Sequence, residues 1–80
     1  MISKETIKAV IAEALEVDVM KITDDLAIKG IPEWNSIGNL AIITALEEKL
    51  GISFPIDDLF DLTSVEGIVE EIAKLEKENA

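Results

Sequence analysis

Apolar side chains recur at three- and four-residue spacing near the start of the chain: Ile7, Val10, Ile11, Ala14 and Leu15 line up, while Lys4, Lys8 and Glu13 fall elsewhere. That period predicts an amphipathic helix running to about Glu16. Ser3 stands where its hydroxyl caps the first turn, and Glu5 lies where the helix dipole favours an anion. From residue 17 to 35 the period is lost. Asp24, Asp25, Gly30 and Pro32 punctuate this stretch, so it reads as a long loop anchored by Val17, Val19, Ile22, Leu26 and Ile28. Loops of this length in small domains are uncommon and are often functional.

A second helix is predicted over 36–50, with Ile37, Leu40, Ala41, Ile43, Leu46 and Leu50 sharing one broad face and Gly51 placed to end it in a left-handed cap. Ile42 lies off the centre of that face, either partly exposed or turned toward a further helix. Residues 52–55 include Pro55 and read as an extended connector, and 56–60 as one or two helical turns. Thr63 and Glu66 have the spacing of a capping box. Val65, Ile68, Val69, Ile72 and Leu75 then form the stripe of a final helix to about Lys77, with residues 74–80 as a frayed end. There are no internal repeats. The expected fold is all-α and a single domain over 1–80, in which three main helices and one short third helix close on a shared core.

Composition fits such a globule and narrows its function. Of the 80 residues 49% are hydrophobic, too many for a disordered acidic tail, and no Cys is present to staple the fold. Seventeen acidic against seven basic residues leave a net charge of −10. That charge disfavours nucleic acid and anionic lipid and points to basic protein partners. Neither His nor Cys is available as base, thiolate nucleophile or soft metal ligand, so no catalytic residues are assigned and ordinary hydrolase or zinc chemistry is excluded. Asp24-Asp25 and Asp57-Asp58 lack the spacing of an EF-hand loop, so no metal site is assigned. The uncharged stretch 34–46 is short of a membrane span, and the N-terminal residues do not form a signal peptide. The expected protein is a cytoplasmic monomer.

Ser36 stands where the long loop enters the second helix. Its hydroxyl is expected beside unpaired backbone N–H groups and the positive end of the dipole, a favourable place for a phosphate. The alternative is that Ser36 is simply the helix cap. Trp34, the sole Trp, is either a loop anchor or an exposed partner contact.

The ordered set Trp34-Asn35-Ser36-Ile37-Gly38-Asn39-Leu40, Ala45-Leu46-Glu47-Glu48-Lys49-Leu50-Gly51-Ile52, Phe54-Pro55 and Leu62-Thr63-Ser64-Val65 resembles the acyl carrier protein family over nearly the whole chain. In that family a modified Ser lies in an Asp-Ser-Leu motif opening the second helix. A Leu-Glu-Glu segment, a Gly-Ile-x-Ile/Phe-Pro turn and a Thr-Ser/Thr-Val helix start follow. The resemblance implies a nonenzymatic four-helix carrier in which a phosphopantetheinyl transferase attaches 4′-phosphopantetheine from coenzyme A to Ser36. The thiol of that arm holds acyl intermediates as thioesters for fatty-acid, lipid, lipopolysaccharide or specialised metabolite biosynthesis, which reconciles carrier chemistry with the absence of Cys.

Partner enzymes with basic surfaces are expected to meet Trp34, Asn35, Ile37, Glu47, Glu48, Asp57 and Asp58, with Asp61 nearby, through salt-sensitive steering. Ile43, Leu46, Phe54, Leu59, Leu62 and Ile68 are the expected lining of an acyl pocket, and their bulk suggests a small or closed one. Asn35 replaces the family's usual Asp, removing a carboxylate the attaching enzyme would otherwise meet. Gly38 and Ala41 stand where many fatty-acid carriers have acidic residues, which implies a different partner set. Two other readings remain open: an aminoacyl or peptidyl carrier of a nonribosomal pathway, and an unmodified acidic helical adaptor.

Overall fold

The computed structural model describes residues 2–78, apart from the side chain of Phe60. Three helices, α1 (Lys4–Leu15), α2 (Ser36–Leu50) and α3 (Val65–Glu78), are joined by connectors that contain short 3-10 segments at Val19–Lys21 and Ile56–Asp61. The architecture is the all-α bundle expected, and Ile56–Asp61 is its short helix.

Local chemistry sets the ends of α1. Ser3 Oγ accepts from the Thr6 N–H at 3.1 Å, and Glu16 turns into the left-handed region at φ 57, where its N–H closes on the carbonyls of Ala12 and Glu13. Its buried face is Ile7, Val10, Ile11, Ala12 and Leu15; Ala14, assigned to that face by spacing, is only half-buried.

The long loop is held by side chains and by backbone pairing. Ile22 and Leu26 are buried, whereas Val19, expected as an anchor, is exposed on its 3-10 turn. An isolated antiparallel bridge joins Ala27 to Ser64. It is flanked by Ile28 N–H to the Thr63 carbonyl at 2.8 Å and Val65 N–H to the Leu26 carbonyl at 2.9 Å. Backbone groups that would otherwise need water are thereby paired. Lys8 and Lys4 also reach Asp24, at 2.8 and 3.3 Å, and fasten the loop to α1.

The bridge changes how α3 begins. Thr63 contributes its carbonyl to the pairing with Ile28, and the cap is Ser64, whose Oγ accepts from the Gly67 N–H at 3.0 Å. The expected capping box of Thr63 with Glu66 is therefore replaced by a cap one residue later. The helix then continues through Glu78, and of the end expected to fray over 74–80 residues 79–80 lie outside those described.

All three helices share one core that includes Ile7, Ile11, Ile42, Leu46, Ile68 and Ile72. Lys49 on α2 meets Glu13 on α1 at 2.6 Å along its edge. Among the described residues no helix is long and apolar enough to cross a membrane.

The rotation of α2 differs from the broad face expected. Ile42 is fully buried with Ile43 and Leu46, while Ile37, Leu40 and Ala41 point outward. Apolar residues lie on both sides of this helix, so its own periodicity does not select a buried face. Its neighbours do.

Candidate functional site

Three contacts fix the start of α2. Asn35, with extended backbone, is the N-cap: its Oδ1 accepts from the Gly38 N–H at 2.8 Å. Trp34, just before it, is 0% exposed, and its Nε1–H donates to Asn39 Oδ1 at 2.8 Å. Gly38 faces the loop so closely that a Cβ there would lie 2.4 Å from the Glu33 carbonyl oxygen and 2.9 Å from Leu15 Cδ2. The Trp34–Asn39 bond draws residue 39 toward the core and the missing Cβ at 38 lets the loop cross the first turn. Together they turn Ile37, Leu40 and Ala41 to the outside.

Ser36 is thus the first helical residue and not the cap. It is exposed, and its hydroxyl has no hydrogen bond to the described residues. The N–H groups of Ser36 and Ile37 likewise have no acceptor among the described residues. A free hydroxyl therefore sits at the positive end of a 15-residue helix beside unused backbone donors, with no side-chain charge on that turn. These residues fit a phosphate ester: the oxygen is reachable, and the helix end favours the phosphate's negative charge. Asn39 and Leu40 were not singled out as site residues by sequence. Their roles depend on a loop-to-helix contact that no local pattern encodes.

The expected partner residues separate into two groups. Ile37, Asn35, Glu48 and Asp57 are exposed, as is Asp61. Trp34 is corrected from partner contact to core anchor, because the indole is enclosed and its one donor is used internally. Glu47 is half-buried and its Oε2 accepts from the Phe54 N–H at 2.9 Å, so this carboxylate braces the turn after α2. Asp58 is drawn toward α3, where Lys74 Nζ stands 3.9 Å away.

Beside that ion pair, Glu71 Oε2 is enclosed without a hydrogen-bond partner. Its desolvation, and secondly the Asp58 carboxyl next to it, lift the Glu71 carboxyl above the ordinary value of 4.5. On the long loop, hydrogen bonds from Lys8 and then Lys4 hold the Asp24 carboxyl below its ordinary 3.8.

Of the residues expected to line a pocket, Ile43, Leu46, Phe54, Leu62 and Ile68 are buried in the common core, and Leu59 packs against it from a half-buried position. The structure brings all six to one core.

The chain was compared with known proteins. A profile of the family described as "Phosphopantetheine attachment site" matches residues 5–72. An acyl carrier protein of Helicobacter pylori is 34% identical over 68 residues, covering 85% of this chain and 87% of that protein. Similarity extends to an acyl carrier protein of Thermosynechococcus vestitus, 28% identical over 68 residues with 85% of this chain and 84% of that protein covered. It extends also to a protein named polyketide-8 synthase acyl carrier protein 2 from Streptomyces avermitilis, 29% identical over 69 residues with 86% and 79% covered. With a match over most of its length to the attachment-site profile, the chain belongs to the acyl carrier protein family, whose members carry covalently bound 4′-phosphopantetheine and are carriers rather than enzymes.

Proposed function

We propose that Ser36 is the attachment point and that the chain shuttles acyl groups between enzymes of a biosynthetic pathway. The observation that supports this is the Ser36 hydroxyl, exposed on the first turn of α2 and released from capping by Asn35. In the attachment step Ser36 Oγ gives up its proton and bonds to the phosphoryl group next to the pantetheine of coenzyme A, whose adenosine bisphosphate leaves. The arm supplies the thiol that holds the acyl group as a thioester. The chain's own residues hold the oxygen outward, present the helix end to the phosphate and offer a surface to the enzymes that visit.

Attachment is read by intact mass after coexpression with a broad-specificity phosphopantetheinyl transferase. The wild type gains one phosphopantetheine and Ser36→Ala gains none. An unmodified wild type, or a gain that persists in Ser36→Ala, overturns the assignment.

The partners are a phosphopantetheinyl transferase and acyl-loading and acyl-transfer enzymes. Basic rims on these enzymes meet Glu48, Asp57 and Asp61, which are exposed. The pathway is one of fatty-acid, lipid, lipopolysaccharide or specialised metabolite synthesis in the cytoplasm. The uncharged start of α2 supports a dedicated partner set, and the similarity to a carrier named for a polyketide synthase agrees with the specialised branch. The six core residues around Leu46 and Phe54 support short or polar cargo, because a long acyl chain has to displace side chains already packed there. A long-chain thioester on the holo-protein is therefore expected to hydrolyse at about the rate of a free pantetheine thioester. Strong protection of that thioester overturns the cargo assignment alone.

A further inference from the structure

Resting on the assignment of Ser36 as the attachment point, we infer that Trp34 and Asn39 are a positioning pair for arm transfer. Their bond ties residue 34 to residue 39 across Ser36 and holds the Ser36 hydroxyl where it can attack. The pair stands two residues before and three residues after Ser36, joined from Nε1–H to Oδ1 at 2.8 Å. Trp34 is enclosed and Asn39 half-buried, so the pair acts through Ser36 from the inward side of α2.

Ser36 needs such support. It is the first helical residue, its N–H has no acceptor among the described residues, and helix ends are where helices fray. The Asn35 cap on the Gly38 N–H is exposed to water and can open with the turn it closes. Trp34 is different, because three bonds fix it. Its N–H donates to the Ile31 carbonyl at 3.1 Å, its carbonyl accepts from the Lys29 N–H at 2.7 Å, and its indole N–H reaches Asn39. The loop that carries these groups is itself held to the start of α3 by the bridge of Ala27 with Ser64. Unwinding the first turn of α2 therefore leaves an enclosed indole donor without a partner, which the fold resists.

The reaction makes that resistance useful. Ser36 Oγ forms a bond to phosphorus, the phosphoanhydride bond of coenzyme A breaks with adenosine bisphosphate leaving, and the hydroxyl proton passes to a base of the transferase. Little of the catalysis in phosphoryl transfer is covalent help and most of it is placement. Misplacing a reacting atom by about 1 Å costs up to about a hundredfold in rate. The transferase places the coenzyme, but the carrier places the oxygen. Removing the bond between Trp34 and Asn39 takes away no contact on the outer surface, so it lowers the rate of transfer within the complex and leaves the affinity of the complex unchanged.

The test is single-turnover arm transfer from coenzyme A by a broad-specificity phosphopantetheinyl transferase in excess, at a temperature where each variant is folded. The carriers are the wild type, Trp34→Phe, Asn39→Leu, the double variant, and Ile72→Val, a buried α3 position that lowers stability away from Ser36. Trp34→Phe and Asn39→Leu are each expected to lower the plateau rate roughly tenfold, with the half-saturating enzyme concentration within about twofold of the wild type. The double variant is expected to lose no more than either single one, because all three lack the same bond. Ile72→Val is expected to keep the wild-type plateau. Plateau rates within about twofold of the wild type in both single variants, losses that multiply in the double variant, or an equal loss in Ile72→Val overturn the positioning role. If Asn39→Leu does not fold, Trp34→Phe against Ile72→Val decides by the same criterion. Each of these results leaves Ser36 loaded and its assignment standing, whereas a wild type that accepts no arm overturns the assignment and the positioning role together.

Discussion

The indole of Trp34 is completely enclosed and donates its N–H to Asn39 Oδ1 at 2.8 Å, joining the end of the long loop to the first turns of α2. This bond gives an otherwise two-sided apolar helix a single orientation. Asn39→Leu leaves a buried donor unsatisfied and is expected to destabilise the fold by about 1–3 kcal/mol. The measurement is the urea midpoint followed by fluorescence, with Trp34 as the sole indole. An unchanged midpoint would show that the rotation of α2 is held by other contacts.

Gly38 gives a prediction whose sign is opposite to helix propensity. At an open helical position Gly→Ala gains up to about 1 kcal/mol. Here the new methyl would lie 2.4 Å from the Glu33 carbonyl and 2.9 Å from Leu15 Cδ2, so either the loop or the helix must move. Gly38→Ala is expected to lose about 1–3 kcal/mol, the usual range for overpacking, by denaturant unfolding. A more stable variant would refute the close approach.

Asn35 has two roles that substitution separates. Asn35→Ala removes the acceptor for the Gly38 N–H and is expected to cost about 1 kcal/mol. Asn35→Asp keeps the acceptor and adds a charge at the helix start, with an expected gain of up to about 1 kcal/mol. Because Ser36 is already exposed and released from capping, arm attachment to Asn35→Asp should stay within about twofold of the wild type. A much faster reaction would show that the missing carboxylate limits loading.

The ends of α1 and α2 were legible in the sequence because Ser3, Glu16 and Gly51 act through neighbours within a turn. Ser36 was legible through its place in an ordered series of motifs, but its freedom from capping was not, since Asn35 and Ser36 are both competent caps and the loop conformation chooses between them. The inward face of α2 was illegible for a different reason. Ile37, Leu40 and Ala41 have the same apolar character as Ile42, Ile43 and Leu46, and the Trp34 and Gly38 contacts that discriminate between them come from outside the helix. The same limit applies to α3, where the pairing of Thr63 with Ile28 across the long loop moved the cap to Ser64.

The carboxyl groups of Glu71 and Asp58 set opposing demands where the short helix meets α3. Burial, then Asp58, raises the folded-state pKa of Glu71 above 4.5, so the fold prefers its protonated form. That preference contributes stability below about pH 4.5 and is lost as pH rises through the folded value, where the nearby Lys74, 3.9 Å from Asp58, lowers the Glu71 pKa by less than burial and Asp58 raise it. Asp24 has the opposite sign: its lowered pKa contributes above 3.8 and is lost as pH falls through the folded value, so it does not oppose Glu71 in the range above 4.5. Glu71→Gln keeps the shape and cannot ionise. It is expected to raise the urea midpoint at about pH 7 and to converge on the wild type toward about pH 4.5, a difference that cancels the general relief of negative charge common to both proteins. A variant less stable than the wild type at neutral pH would mean that ionised Glu71 is stabilising, and the proposed tension between the short helix and α3 would be wrong.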